Sequence, residues 1–396
     1  MRLSFGSAQL HKKGEDTLYA DASDPDYSLF AVFDGHGGPQ AAVLCRDKLC
    51  PSILASVRPV STESVEEAFW SADSALSEQG QFAGTTATVL CADRTTGGGF
   101  SCLLSWVGDS TAIVVDMLAP CATKSVVRSA TTTDHNASNA SEMRRLRVEA
   151  LVRESLELLT NDPLAPPSVA QVEAAWAAAL PDESPLSTDA ACVLTRELAR
   201  GARLETLEAD RIAAHGAAAG PTAKKYVLQR SRQPSHFSSR PHRPAGSKPA
   251  LTTYHRFDDQ LPAQRGASLM MTRSIGDWDA ARALTPHPQS LRFAVRAADA
   301  ADGDGGRADA PPQRWAVVLA SDGLWDQVSH ERAAAVVRSA VDPQGAADAL
   351  VKLATVGLVT PKDDTSVIVV DLNPAELPPR LQTPCCGGRR GNCVVA

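Results

Sequence analysis

The chain has 396 residues, of which 43% are hydrophobic and 21% charged, and a formal net charge of −7; this length suits roughly two to three domains, or one large domain carrying insertions. With 5% aromatic residues and an acidic balance, neither a base-stacking platform nor a basic duplex-binding face is expected and no nucleic-acid partner is predicted, local basic patches being left open. No run approaches the roughly 18 apolar residues of a membrane span, and the opening MRLSFGSAQLHKKGED lacks the apolar core of a secretory signal.

Leu29 to Phe33 is a short apolar run that stops at Asp-Gly, the pattern of a buried strand ending in a tight turn. Pro39 opens a helical stretch to about Val57, with Pro51 expected to kink or split it. Ser64 to Leu76 is a second helix. Thr85 to Ala92, Phe100 to Val107 and Thr111 to Asp116 read as three strands joined by glycine turns, and predict an antiparallel meander. From Glu142 to about Gly216 apolar residues fall at helical spacing. Arg230 to Ala250, rich in Ser, Arg, His and Pro, reads as an exposed disordered loop. A second loose stretch precedes Arg314; its Asp299, Asp302 and Asp304 lack the spacing and terminal Glu of a calcium loop and read as solvated linker. Order resumes with a strand at Trp315 to Ala320, helices at Glu331 to Val341 and Gln344 to Ala354, and a last strand at Thr365 to Leu372. Strands in the first and last thirds with flanking helices predict an α+β layered domain whose halves meet around an insertion.

The nine cysteines include no C-x-x-C pair, so neither a disulfide framework nor a zinc ribbon is indicated. Cys45, Cys50, Cys91, Cys102, Cys121 and Cys192 have apolar neighbours and are expected as small buried hydrophobes. None of the nine is followed by Arg at the sixth position, which sets aside a cysteine nucleophile in a phosphate-cradling loop.

The aspartates carry the chemistry. Asp34, Asp109, Asp322 and Asp363 each sit at the end of an apolar strand or just before one, and three of them adjoin glycine. A carboxylate at the lip of a buried strand loses hydration, and several converging there repel one another. A divalent cation relieves both costs, and an all-oxygen set selects Mg²⁺ or Mn²⁺. A glycine after Asp34 lets the backbone carbonyl approach as a further ligand. With Glu15-Asp16 ahead of the first strand and His36 two residues after Asp34, the set fits hydrolysis by a metal-activated water.

Gly14-Glu15-Asp16, Phe33-Asp34-Gly35-His36-Gly37-Gly38, Gly84-Thr85-Thr86-Ala87, Gly108-Asp109-Ser110, Thr272-Arg273-Ser274-Ile275-Gly276-Asp277, Ser321-Asp322-Gly323-Leu324-Trp325-Asp326 and Asp363-Asp364-Thr365-Ser366 resemble, in order, the motifs of the metal-dependent (type 2C) serine/threonine protein phosphatases. The resemblance implies a four-layer α-β-β-α sandwich of two antiparallel sheets, with a large helical and disordered insertion in the flap region. It implies a catalytic domain over 1–372 interrupted at about 142–260, and a tail over 373–396. It implies two Mn²⁺ or Mg²⁺ ions: Asp34 bridging both, the Gly35 carbonyl on one of them, Asp322 and Asp363 on the first and Glu15 on the second. Asp109 and Asp326 match the positions of a third, weaker ion. His36 becomes the general acid for the departing Ser or Thr alkoxide of a phosphoprotein substrate. The family's phosphate-gripping Arg is replaced here by His11, leaving Lys12 or Lys13 to supply charge without the bidentate fork of Arg. A phosphoprotein-binding module of little or no activity, and a hydrolase of other phosphoesters, remain as alternatives. The insertion is read either as a gate or docking element or as a solvated excursion with no catalytic role.

The end, Cys393-Val394-Val395-Ala396, has the prenylation pattern, with Cys385 and Cys386 as palmitoylation positions and Arg389-Arg390 facing anionic lipid. A cytoplasmic monomer tethered to the cytoplasmic face of a membrane is the expectation.

Overall fold

Strand β3 (Tyr27–Phe33) is buried along its whole length, so both of its faces need a partner layer. Its alternation settles which layer is which. Phe30 and Val32 point the same way as Leu90 and Ala92 of β6 (Ala87–Arg94) and Leu104 and Trp106 of β7 (Phe100–Val107). They pack on Ala112 and Val114 of β8 (Thr111–Asp116), Val317 and Leu319 of β13 (Trp315–Ala320), and Ile368 and Val370 of β14 (Thr365–Leu372). This cluster is the seam between two sheets. The opposite face of β3, with Leu29, Ala31 and Phe33, packs on α1 (Gln40–Leu44), α2 (Cys50–Leu54) and α3 (Thr62–Glu78) through Ala41, Ile53, Phe69 and Leu76. The opposite face of the second sheet, with Ile113, Val318 and Val369, packs on α8 (His330–Ser339) and α9 (Pro343–Ala354). Helices, sheet, sheet and helices therefore stack in four layers. Phe30, Phe33 and Phe69 are fully buried, and each contributes about 2–3 kcal/mol by area removed from water.

The structure is a computed structural model describing residues 3–119, 125–136, 138–159, 165–215, 226–229, 252–255, 271–278, 284–296, 314–356 and 361–373. One sheet runs β12-β7-β6-β3-β2 and the other β1-β14-β13-β8, with β1 at Ser4–Leu10, β2 at Thr17–Asp21 and β12 at Gln289–Val295. Every neighbour pair is antiparallel. Short strands β4 (Gly35–His36), β5 (Gly84–Thr85) and β11 (Ile275–Gly276) form a small sheet in the order β11-β5-β4. The strands β9 (Tyr226–Gln229) and β10 (Thr252–His255) pair with each other.

Three expectations are corrected. The meander holds for β6 and β7 only, because β8 joins the other sheet beside β13. Its two apolar faces, Ala112 and Val114 against Ile113 and Val115, fill the seam and the outer helix layer at once, and Gly108-Asp109-Ser110 carries the chain across. The kink or split expected at Pro51 falls one turn earlier, between α1 and α2. The turn before Pro51 widens into a π-helix (Cys45–Leu49), with Cys50 N–H donating to Cys45 O, a geometry that accommodates a proline lacking an N–H and crowding the preceding turn. Cys192 is exposed, whereas Cys45, Cys50, Cys91 and Cys102 are buried as expected; Ala191 and Leu194 occupy the inward face of its helix. Cys121, the Arg230–Ala250 stretch, the Asp-rich linker and the C-terminal tail lie outside the described residues. Among the described residues no helix is long and apolar enough to cross a membrane.

The middle of the chain forms α4 (Ala140–Leu159), α5 (Val169–Ala179) and α6 (Thr188–His215). Val152, Leu156, Val172, Ala175, Leu194 and Leu198 give them a core of their own. The excursion leaves and returns at one place: Asn136 bridges Met271, and Thr272 N–H donates to His135 O at 2.7 Å. At that junction His135 is fully buried, stacked on Trp106 at 5.8 Å, and accepts the Gly108 N–H at Nδ1.

Burial, reinforced by the nearby Arg273 charge, pulls the His135 imidazole down to about 3, and burial pulls His287 down to about 4. A histidine held neutral by the fold contributes stability that is complete above its unfolded value of about 6.5 and is lost as pH falls toward the folded value. The melting temperature is expected to fall between about pH 7 and pH 5, and to fall less steeply in His135→Asn, which keeps an acceptor for Gly108 but does not titrate. Parallel pH curves for the two proteins would contradict this assignment.

Candidate functional site

The acidic residues singled out in the sequence come from separate strand ends and meet at one end of the sheets. Asp34 directly follows β3 and precedes β4, whose Gly35 pairs with Thr85 of β5 in the small sheet. Asp34 N–H donates to Thr86 Oγ1 at 3.1 Å, while Thr86 N–H and Thr85 Oγ1 donate to Asp34 O at 2.9 and 3.1 Å. The Gly84-Thr85-Thr86 motif thus fixes the Asp34 backbone. Thr86 also shares a hydroxyl hydrogen bond with Ser110 at 2.7 Å, which ties the Asp109 turn to the same frame.

Two glycines let the remaining acids approach. A Cβ on Gly35 would stand 2.4 Å from Glu15 O, and one on Gly323 would stand 1.9 Å from Asp364 O. Any side chain at either position would push Glu15 away from Asp34, or Asp322 away from the Asp363-Asp364 pair. Asp322 begins the four-residue helix α7 (Asp322–Trp325), directly after β13.

Electrostatics records the convergence. Burial, then the charges of Asp322, Asp16, Asp109 and Asp363, push the Asp34 carboxyl well above the usual carboxylate range. Burial pushes Asp16 up to about 6, and its buried Oδ2 has no hydrogen-bond donor among the described residues. Asp109 is buried, Glu15 and Asp363 are partly buried, and Asp326 is exposed after α7. An orphaned buried oxygen beside repelling carboxylates is the environment that a hard divalent cation such as Mg²⁺ or Mn²⁺ relieves, and the all-oxygen donor set suits one. In this structure the carboxylate oxygens turn to protein donors: Glu15 Oε1 accepts Gly38 N–H at 2.7 Å, and Asp363 takes the Lys13 ammonium at 2.8 Å. Accordingly, no three described His, Cys, Asp or Glu side chains close round a single point.

Of the three residues expected at the phosphate, only Lys13 turns to the carboxylates. Burial would lower its pKa, but Asp363, Glu15 and Asp34 outweigh burial and raise it. The Lys12 ammonium donates instead to the Lys362 carbonyl, and His11 is exposed.

His36 stands at the edge of the cluster with Nε2 at 2.8 and 2.9 Å from the Asp277 carboxylate oxygens. Burial disfavours its charged form, but Asp277, with Asp109 and Glu15 behind it, outweighs burial and raises the imidazole pKa. Asp277 has φ 56°, a left-handed conformation that Asp tolerates better than most residues, and also accepts Ser274 Oγ–H at 2.6 Å.

Asp277 and Asp364 both fall within sequence motifs, yet sequence reasoning gives neither a role. Asp364 accepts the backbone N–H groups of Lys12, Lys13, Glu15 and Asp16, those of Lys13 and Glu15 at 2.7 Å. Burial would raise its carboxyl, but these donors outweigh it and hold the group below the usual range. The adjacent aspartates divide the work: Asp363 faces the cluster and Asp364 shapes the loop bearing Glu15. The doubled carboxylate before a strand was the available signal.

Two antiparallel sheets with carboxylates gathered at one end define an acidic site beside a histidine–aspartate pair. The family model described as Protein phosphatase 2C matches residues 6–155 and 208–360, and the chain belongs to this family. Among curated relatives, "Probable protein phosphatase 2C 12" of Arabidopsis thaliana is 36% identical over 110 residues, covering 28% of this chain and 22% of that protein. "Probable protein phosphatase 2C 40" of Oryza sativa subsp. japonica is 34% identical over 110 residues, 27% of this chain and 20% of its own. The matches therefore span about a fifth of these relatives' length. Solved structures similar in chain path include a serine-threonine phosphatase 2C from Toxoplasma gondii (TM-score 0.48, 14% identity, 94% of this chain and 95% of that one). The Mycobacterium tuberculosis serine/threonine phosphatase PstP/Ppp is another (TM-score 0.43, 16% identity, 94% of this chain and 100% of that one).

Proposed function

We propose that this chain is a metal-dependent protein phosphatase acting on phosphoserine and phosphothreonine. The observation that carries the reading is the crowding of Asp16, Asp109, Asp322 and Asp363 on Asp34, beside a histidine that a carboxylate biases toward its charged form. Asp34, Asp322 and Asp363 with Glu15 and the Gly35 carbonyl would hold two Mg²⁺ or Mn²⁺ ions, and Asp109 with Asp326 a third. Such ions, when bound, supply an activated water and screen the phosphoryl charge.

The chain's own groups do the rest. Lys13, which in this structure pairs with Asp363, would offer its ammonium to a phosphate oxygen as a point charge. Asp277 holds Nε2–H of His36, so the charged ring presents Nδ1–H as the proton for the leaving alkoxide. Asp364 keeps Lys13 and Glu15 on one rigid loop. The tail adds location: a prenyl group on Cys393, with palmitoylation of Cys385 and Cys386 as the second signal, would hold the enzyme at a membrane bearing its phosphoprotein substrates, since one chain alone binds only reversibly.

Hydrolysis of a phosphothreonine peptide should require Mn²⁺, cease with chelator, and drop at least about 100-fold in Asp34→Ala and in Asp322→Ala. Activity that survives both substitutions removes this reading, and a folded wild type that binds the phosphopeptide without hydrolysing it supports a recognition module instead. Cell fractionation tests the tail: Cys393→Ser should move the protein from membrane to soluble fractions, and a wild type already wholly soluble contradicts lipid tethering.

A further inference from the structure

The segment bearing Asp277 is gripped by helices of the middle excursion. From α4, Glu142 accepts Thr272 Oγ1–H at 2.8 Å and pairs with Arg273 at 2.6 Å, and Arg145 donates to Thr272 O at 3.0 Å. From α6, Arg200 holds the next part of the segment. Its Nε and Nη2 donate to Asp73 of α3 at 2.9 and 3.1 Å, Nη1 donates to Leu284 O at 3.0 Å, and Nη2 also donates to Gly276 O. Asp73 in turn accepts the Gly276 N–H at 2.8 Å, and its backbone carbonyl accepts Trp278 Nε1–H at 2.9 Å. The Arg200 guanidinium lies 4.4 Å over the Trp278 ring. Both backbone polar groups of Gly276 are therefore held by one ion pair, whose side chains are 2% and 1% exposed.

A guanidinium is costly to bury, and this one spends its donors on a carboxylate and two carbonyls inside the protein. A solvated excursion has no use for such a contact. The residue that follows Gly276 is Asp277, in a left-handed conformation that a non-glycine residue keeps only when its surroundings hold it. Its carboxylate reaches His36 at 2.8 Å. Arg200 lies between the two stretches matched by the family model, which end at 155 and resume at 208.

We infer that Arg200, carried by the inserted helix α6, is a positioning residue: with Asp73 it fixes the Gly276 peptide, hence Asp277, hence the ring of His36. The inference rests on the reading of His36 as general acid given above.

The test uses the full chain with Mn²⁺ and two substrates, a phosphothreonine peptide whose alkoxide needs a proton and p-nitrophenyl phosphate whose phenolate leaves without one. Arg200→Lys keeps the charge facing Asp73 but loses the fork. The double variant Arg200→Met with Asp73→Asn leaves no buried charge unpaired, so a folding defect in one variant does not decide the matter. In both, kcat on the peptide is expected to fall about tenfold, with peptide KM and kcat on p-nitrophenyl phosphate within about twofold of wild type. In an Asp277→Asn background the Arg200→Lys change should cost nothing further on the peptide, because the pathway is already cut. Equal losses on both substrates, an unchanged peptide rate, or full additivity with Asp277→Asn overturns the inference. A readout free of activity is the His36 Nε2–H proton resonance, assigned by its loss in His36→Gln. Protected by Asp277, it should exchange faster in Arg200→Lys, and an unaltered signal also overturns the inference. A wild type inactive on both substrates would instead strike the phosphatase reading, leaving the resonance to judge Arg200.

Discussion

Asp34 is a carboxylate set among carboxylates, and that repulsion is the constraint around which the fold is built. Asp16, Asp109, Asp322 and Asp363 all act on it, and each arrives on a different strand end or loop. Left to themselves such groups would separate. They are kept together by backbone: Gly35 against Glu15, Gly323 against Asp364, Thr85 and Thr86 on the Asp34 peptide, and Asp364 on four amides of the Glu15 loop. Rigid support of this kind is what keeps like charges together against their repulsion.

The layering explains how distant stretches supply one site. Because β7 and β8 belong to different sheets, the turn between them must pass the end of the seam, which is where Asp109 sits. The same logic places Asp322 at the exit of β13 and Asp363 at the entry to β14, two strands paired with each other. The middle excursion belongs to this frame. Its ends meet beside His135, and its helices α4 and α6 hold the Thr272–Asp277 segment through two buried ion pairs, Glu142 with Arg273 and Asp73 with Arg200. The sequence left it open as a gate or docking element or as a solvated excursion; the contacts show a third thing, a structural tie to the segment bearing Asp277.

Much of this was legible. Apolar runs such as Leu29–Phe33 and Val367–Val370 read as buried strands and the structure has them so, and the aspartates at strand ends stood out by their joint occurrence rather than singly. What escaped was long-range or degenerate. The local pattern of β8 is the same whichever sheet receives it. His36 and Asp277 are 241 positions apart, and Asp73 and Arg200 are 127 apart, so no spacing rule links either pair. Asp363 and Asp364 are the same letter with opposite jobs, decided only by which of them faces the amides of the neighbouring loop. His11, Lys12 and Lys13 form one basic run, and only the path of the backbone turns Lys13 toward the acids.

The central claim is that these carboxylates share divalent cations, and calorimetric titration of Mn²⁺ into metal-stripped protein tests it without recourse to substrate. Saturable binding by the wild type, accompanied by a higher melting temperature and lost or greatly weakened in Asp34→Asn, is the result this account requires. A wild type that takes up no Mn²⁺, or an Asp34→Asn protein that binds it as tightly, would contradict it.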